Sequence, residues 1–135
     1  MRIFLDANIL FSAAHSDGAM RVLLAELVAG GHELRADNYV VEEAARNLAT
    51  KNPARIAALD ALLQDIAVAR VPADRSFEAN LPLPEKDRPV LASAIFQACQ
   101  ALVTGDRTHF GPLYGKIIRG VAIHSPRSIA ETLLA

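Results

Sequence analysis

Apolar and polar residues follow two different periods along the chain. Short apolar runs that are typical of strands occupy residues 2–6, 32–36, 66–71, 101–104 and 121–125. Longer segments with apolar residues three and four positions apart, typical of helices, occupy residues 18–31, 38–51, 53–66, 88–100 and 126–135. Because strands that alternate with helices usually form a parallel sheet covered on both faces, the pattern predicts a three-layer α/β/α fold with a mostly parallel central sheet.

Residues 72–86 interrupt this alternation, since they contain three prolines and charges of both signs. We interpret them as a long loop. A chain of 135 residues, of which 52% are hydrophobic, is long enough for one core, so we expect a single domain over residues 1–135. The lone cysteine, Cys99, lies among apolar neighbours and is interpreted as a core thiol.

The distribution of charge is uneven, although the net charge is only −1. Between residues 107 and 130 the chain carries four basic residues and no acid: Arg107, Lys116, Arg119 and Arg127. This local charge fits either a nucleic-acid contact or an ordinary solvated surface. No apolar run approaches the roughly 20 residues of a membrane span, and the first residues lack the order of a signal peptide, so we expect a cytoplasmic protein without membrane contact.

Two aspartates follow predicted strands. Asp6 ends the first apolar run, and Asp106 comes directly after the sequence ALVTG. A single aspartate in such a position is commonly a turn or cap residue. Because the carboxyl ends of parallel strands line a common crevice where ligands bind, two such aspartates on separate strands favour a shared site.

Further acids lie at the start of two predicted helices. Asp87 precedes Arg88 and Pro89, where it could cap the helix with one carboxylate oxygen and present the other to a metal. Glu42 and Glu43 flank the apolar face of the helix 38–51 on opposite sides. Periodicity alone does not select which glutamate faces the crevice.

Four motifs in this order, FLDANIL, YVVEEAARNL, KDRPVLASAI and LVTGDRTHF, extend over almost the whole chain and resemble the PIN-domain nucleases, particularly the toxin-like (VapC-like) endoribonucleases. The resemblance implies that four carboxylates gather around divalent metal as catalytic residues: Asp6, Glu43, Asp87 and Asp106. It is the resemblance that selects Glu43 over Glu42. One departure is visible, because the family commonly has a Ser or Thr shortly before the Glu, where this chain has Ala36, Asp37 and Asn38.

Carboxylates that converge in a crevice repel one another unless a cation neutralises them. Oxygen ligands without cysteine or clustered histidine indicate Mg²⁺ or Mn²⁺. Such a site could activate water for in-line attack on an RNA phosphodiester bond. By resemblance, the products would carry a 5′-phosphate and a 3′-hydroxyl.

Four polar residues near these acids are candidates for substrate binding: Asn8, Thr104, Arg107 and His109. Asn8 could hold a water or a substrate oxygen, or it could close a turn. The guanidinium fork of Arg107 matches phosphate oxygens. His109 could contact phosphate or could be a packing or surface residue.

Two other classes of protein are alternatives to a ribonuclease. Asp6-Ala7-Asn8 partly matches the DxD loop of haloacid-dehalogenase-like phosphatases, but Asn8 cannot serve as the proton donor of that mechanism. A PIN fold that binds RNA or protein without cleavage is the second alternative, although the chain has all four acids. The candidate partners are an RNA substrate, an antitoxin protein implied by the resemblance, and a second copy of the chain in a homodimer.

Overall fold

Strands and helices alternate along the chain, and the structure, a computed structural model, describes residues 1–71 and 80–134. The strands of this described part are β1 (Arg2–Leu5), β2 (Glu33–Asp37), β3 (Ile66–Ala69), β4 (Ala101–Val103), β5 (Ile117–Ile118) and β6 (Val121–His124). The α-helices of the same residues are α1 (Ala7–His15), α2 (Ala19–Ala29), α3 (Asn38–Lys51), α4 (Ile56–Leu63), α5 (Arg88–Phe96) and α6 (Pro126–Leu133). Short 3₁₀ turns occupy Pro53–Arg55 and Gly111–Leu113.

The strands form one mixed sheet in the order β3-β2-β1-β4-β6-β5. All neighbours pair in parallel except β5, which pairs antiparallel with β6. The chain moves outward from β1 to β3 and then crosses back to β4. Because crossovers between parallel strands are right-handed, this reversal puts α1 to α4 on one face of the sheet and α5 on the other. The predicted α/β fold with a mostly parallel sheet is therefore confirmed.

Helix α1 is missing from the sequence-based prediction. It begins at Ala7, one residue after the end of β1, so the apolar residues of strand and helix run together in the sequence. Asp6 caps the helix, because its Oδ1 accepts a hydrogen bond of 2.7 Å from the Ala7 N–H. The first strand therefore turns into a helix without an intervening loop.

Other elements also differ from the prediction: the helix predicted over 53–66 is a 3₁₀ turn followed by α4, which ends at Leu63. The helix predicted over 88–100 ends at Phe96, and Ala98 adopts a left-handed φ of 56° that helical backbone does not allow. Strand β5 was not predicted, because two residues are too short to show a period. The loop prediction fits residues 81–86, which form bends and turns, while residues 72–79 lie outside the described part of the chain.

The core is centred on β1 and β4, whose inner residues are buried on both faces of the sheet. Fully or almost fully buried residues in these strands are Ile3, Phe4, Leu5, Ala101, Leu102 and Val103. Continuous apolar runs suit central parallel strands, since helices cover both faces. Cys99 is buried beside them, as predicted, and burial raises the pKa of its thiol to about 11. None of the helices in the described residues is both long and apolar enough to span a membrane.

Two isoleucines on paired strands offer a matched test of this core. Ile123 on β6 is fully buried, whereas Ile117 on β5 is 71% exposed. We expect Ile123→Ala to lower the free energy of unfolding by about 2–5 kcal/mol, because it leaves a cavity. Ile117→Ala should lower it by less than about 1 kcal/mol. Urea denaturation followed by circular dichroism measures both values, and equal losses would contradict the assigned burial.

Candidate functional site

The carboxyl ends of β1 and β4 bring two distant parts of the chain side by side. Leu5 is paired with Val103 in the parallel register, and the Asp6 N–H donates to the Val103 carbonyl at 3.1 Å. The residue that follows each strand is therefore fixed opposite its neighbour. Asp6 and Thr104 meet at this point, and Asp106 lies two residues further along the chain.

Thr104 connects both aspartates through one hydroxyl group. Its Oγ1 donates to Asp6 Oδ2 at 2.8 Å and accepts hydrogen bonds from the Asp106 N–H at 3.1 Å and from Asn8 Nδ2 at 3.4 Å. A hydroxyl has one donor and two acceptor positions, so all three are used. Thr104 is fully buried. In this position its hydroxyl joins Asp6 to the backbone of Asp106.

The Asp6 carboxylate is almost buried, with 6% of the residue exposed. Its burial raises the pKa to about 6, although hydrogen bonds from Thr104 and Ala7 act in the opposite direction. The charges of Glu43 and Asp87 also raise this pKa. Asp6 therefore lies in a low-dielectric position close to other acids, where its negative charge is not fully compensated.

Asn8 is bonded within the protein by both ends of its amide. Nδ2 lies 3.2 Å from Asp6 Oδ2, and Oδ1 accepts a hydrogen bond of 2.8 Å from the Gly105 N–H. Asn8 thus links the start of α1 to the turn that carries Asp106. Its side chain also lines the cleft described below.

His109 lies between two carboxylates. Its Nδ1 is 3.0 Å from Asp106 Oδ2 and 3.0 Å from Asp87 Oδ2. An ionised carboxylate only accepts hydrogen bonds, so Nδ1 carries the hydrogen. That single hydrogen is bonded to Asp106, and Asp87 Oδ2 is buried without a hydrogen-bond partner among the described residues.

The pKa values of the two carboxyls beside His109 are shifted in opposite directions. Burial raises the pKa of Asp87, with the Asp106 charge acting in the same direction and His109 against it. Burial would also raise the pKa of Asp106, but hydrogen bonds from the His109 N–H, the His109 ring and the Thr108 N–H outweigh it and lower this pKa. Asp106 is thus held in its ionised form next to a carboxyl that is harder to ionise.

Asp87 does not cap α5, although it occupies the N-cap position. Its side chain makes no capping hydrogen bond, so the capping role allowed by the sequence does not apply. The helix begins instead with Pro89 in its first turn, where a missing N–H costs nothing. The Asp87 carboxylate therefore makes no bond to the helix backbone and lines the acidic cleft described below.

The four predicted carboxylates line one cleft of about 430 Å³. The predicted residues on its walls are Asp6, Asn8, Glu43, Asp87 and Asp106. Glu42 is exposed and does not line it. The structure therefore places all four predicted carboxylates on the walls of one cleft, with Glu43 and not Glu42 among them.

Several cleft residues were not identified from the sequence. They are Phe11, Tyr39, Asn47, Lys51 and Lys86. The Lys51 ammonium lies 5.3 Å from the centre of the Phe11 ring, within the range of a cation–π contact. A signal for the α3 residues was present, since Tyr39, Glu43, Asn47 and Lys51 recur every four positions and share one helix face.

Asp37 is one of the residues that precede Glu43 where the family commonly has a Ser or Thr. It is 1% exposed and caps α3, because its Oδ1 accepts a hydrogen bond of 3.0 Å from the Val40 N–H. An aspartate therefore supplies the helix cap at the carboxyl end of β2. Arg107, in contrast, is exposed and lines a neighbouring groove rather than the acidic cleft.

Comparison with known proteins defines the class of this chain. Residues 2–108 match the family model of the PIN domain, so the chain belongs to the PIN domain family, as its motifs predicted. No curated protein matches the sequence.

Two solved structures share the fold. One is VapBC2 from Rickettsia felis bound to a DNA fragment from its promoter, with a TM-score of 0.69 and 18% identity over 93% of this chain and 98% of that chain. The other is VapC20 from Mycobacterium tuberculosis, described as a sarcin-ricin loop cleaving toxin, with a TM-score of 0.56 and 18% identity over 78% of this chain and 91% of that chain. At this identity the likeness concerns the fold.

The raised pKa of Asp6 predicts how stability depends on pH without metal. The folded protein holds this proton more tightly than a carboxyl with the ordinary pKa of 3.8, so ionising Asp6 costs stability as the pH rises from about 4 through about 6. In EDTA, the unfolding free energy of the wild type minus that of Asp6→Asn should fall by up to roughly 3 kcal/mol between pH 4 and pH 7. Urea denaturation at each pH measures it, and a flat or rising difference would contradict the buried carboxyl.

Proposed function

We propose that the protein is a metal-dependent endoribonuclease that hydrolyses RNA phosphodiester bonds at the four-carboxylate cleft. One observation carries this proposal: among the described residues, a buried oxygen of Asp87 accepts no hydrogen bond, although it lies 3.0 Å from His109 Nδ1, whose hydrogen is bonded to Asp106. Beside it are a nearly buried Asp6 and an Asp106 held in its ionised form. Such an arrangement is costly unless a cation binds there. Membership of the PIN domain family supports the same interpretation.

The donor set suits a hard divalent cation. Asp6, Glu43, Asp87 and Asp106 offer oxygen ligands, and Asp87, Asp106 and His109 each place one ligand atom within 4.8 Å of the others. Oxygen-rich ligands favour Mg²⁺ or Mn²⁺ over zinc. When bound, the ion supplies an activated water for attack on phosphorus and positive charge for the leaving oxygen.

The residues of the chain orient this chemistry. Thr104 and Asn8 donate to Asp6 Oδ2, while among the described residues Oδ1 accepts a hydrogen bond only from the Ala7 N–H, which leaves a lone pair of Oδ1 for a cation. His109 fixes the Asp106 carboxylate through its ring and its backbone N–H. Asn8, Thr104 and His109 are therefore proposed as positioning residues.

The cations of the site are proposed as phosphate contacts. Lys51 and Lys86 lie on the wall of the cleft, and Arg107 lies just outside it. These positive charges would attract the RNA backbone toward a cleft that, without metal, is negative. An acidic centre with basic surroundings is what a metal-dependent nuclease needs.

We further infer that the nuclease is the toxin of a toxin–antitoxin pair acting in the cytoplasm. The structural neighbour from M. tuberculosis is described as a sarcin-ricin loop cleaving toxin, and the one from R. felis as VapBC2 bound to promoter DNA. An antitoxin protein and a second copy of this chain are the proposed partners. Co-expression with the product of an adjacent small reading frame, followed by co-purification, tests the antitoxin.

The two adjacent glutamates give a first test of the site. Glu43→Gln should lower RNA cleavage by roughly 10²-fold or more, because it removes one carboxylate from the cleft. Glu42→Gln is the matched control on the same helix and should retain most of the activity. Cleavage of labelled single-stranded RNA measures both rates, and the reverse order would show that Glu42 is the ligand.

Metal removal gives a second test. EDTA should stop cleavage, Mg²⁺ or Mn²⁺ should restore it, and the products should carry 5′-phosphate ends. The same ions should raise the melting temperature of the wild type, which reports binding independently of activity. If all variants and metals leave RNA uncut while RNA still binds, the inactive PIN alternative is correct.

A third test separates metal catalysis from histidine catalysis. Asp106→Asn should lower the rate by roughly 10²- to 10³-fold, because it weakens a metal contribution of several kcal/mol. His109→Ala should lower it less, since His109 only orients the carboxylates. Single-turnover rates with saturating enzyme measure both. Activity that survives EDTA, with cyclic-phosphate products and an inactive His109→Ala, would overturn the metal mechanism.

A further inference from the structure

A second groove, of about 570 Å³, adjoins the acidic cleft. We call it the arginine groove, and its walls include Gly105, Arg107, Tyr114, Ser125, Pro126 and Arg127. It lies between the turn that carries Asp106 and the start of α6, at the carboxyl ends of β4 and β6. Its volume is in the range of small-ligand sites. The function proposed above does not use this groove beyond a phosphate contact at Arg107.

The arginine groove is continuous with the acidic cleft at Gly105. This glycine lines both, and it is exposed. Its N–H donates to Asn8 Oδ1, and an added Cβ would lie 3.4 Å from that oxygen. Gly105 therefore contributes no side chain where the two grooves meet.

The charge of the groove is available to a ligand. The Arg107 guanidinium makes no hydrogen bond or ion pair with the residues that the structure describes. Arg127 pairs with Glu131 at 2.8 Å, but its side chain is 89% exposed, and such surface pairs are weak. Both arginines can therefore turn toward an anion at little cost.

Tyr114 gives the groove a fixed aromatic wall. Its hydroxyl donates a hydrogen bond of 2.7 Å to the backbone carbonyl of Thr104, the residue whose side chain bonds Asp6. This bond holds one end of the side chain while the ring lines the groove. A fixed aromatic ring beside cationic groups is how many proteins bind unpaired bases together with their phosphates.

We propose that the arginine groove binds the single-stranded RNA immediately next to the cleaved bond, with Arg107 on the adjacent phosphate and Tyr114 against the adjacent base. This inference rests on the proposed ribonuclease function. RNA is favoured over an acidic peptide, because the groove leads directly into four carboxylates that would repel such a peptide, whereas a phosphodiester chain would meet metal there.

Salt dependence of binding tests the phosphate contact. An oligouridine of about 12 nucleotides, a length within the site sizes of single-strand binders, is titrated against the full chain in a Glu43→Gln background with Mg²⁺. Arg107→Gln should reduce the slope of log affinity against log salt by about 0.7, the value for one phosphate on a single strand. The control is Arg119→Gln, an exposed arginine that precedes β6 at the opposite end of the sheet. It should leave the slope unchanged.

A chemical cycle locates the contact. In an RNA that the wild type cleaves at one bond, a neutral methylphosphonate next to that bond should lower kcat/KM roughly 10-fold, because it removes a charge-assisted hydrogen bond. In Arg107→Gln the same methylphosphonate should have almost no further effect. Tyr114→Leu should lower kcat/KM when the adjacent base is present and not when that nucleotide is abasic.

The outcomes distinguish the two proposals. If the wild type cleaves RNA but Arg107→Gln keeps the wild-type salt slope and the full methylphosphonate effect, the groove inference is overturned while the ribonuclease stands. If no metal-dependent cleavage occurs at all, the proposed function fails first. If polyglutamate of equal charge displaces the oligouridine and binds with the same dependence on Arg107, the groove is a protein-binding surface and the inference is overturned.

Discussion

The hydrogen bonds of the Thr104 hydroxyl are the interaction on which the site depends. The group donates to Asp6 and accepts from the Asp106 N–H, so it joins the ends of two central strands. Its geometry is fixed because β1 and β4 pair in parallel immediately before it. Most of the core is packed around these two strands. The pairing of β1 with β4 in the sheet thus fixes the positions of the Asp6 and Asp106 carboxylates.

The same placement has an electrostatic cost that the fold must carry. Asp6 is held in a buried position with an elevated pKa, and a buried oxygen of Asp87 accepts no hydrogen bond from the residues that the structure describes. His109 reduces this electrostatic cost by donating a hydrogen bond to the Asp106 carboxylate. A protein under no functional constraint would replace such groups with apolar residues of similar size. The retained cost therefore identifies the cleft more specifically than the presence of acids does.

Much of this was visible in the sequence, and the failures have physical causes. The alternation of periods gave the α/β fold, because burial on one or both faces imposes those periods. Helix α1 was missed because Asp6 ends the strand and caps the helix at once, leaving no turn signal. The four-residue recurrence of Tyr39, Glu43, Asn47 and Lys51 could have singled out Glu43. The contact of His109 with Asp87 has no local signal, because it depends on how α5 packs.

The separation of the bonded residues along the chain has a consequence for synthesis of the protein. Thr104 and Asp6 are 98 positions apart, so the carboxylates cannot assemble while only the first half of the chain has left the ribosome. Strand β4 must emerge and insert beside β1 before the site exists. For an enzyme proposed to cut RNA, the unfinished chain is therefore inactive next to the very RNAs that are making it. The topology therefore delays assembly of the site until β4 and the turn after it have been synthesised.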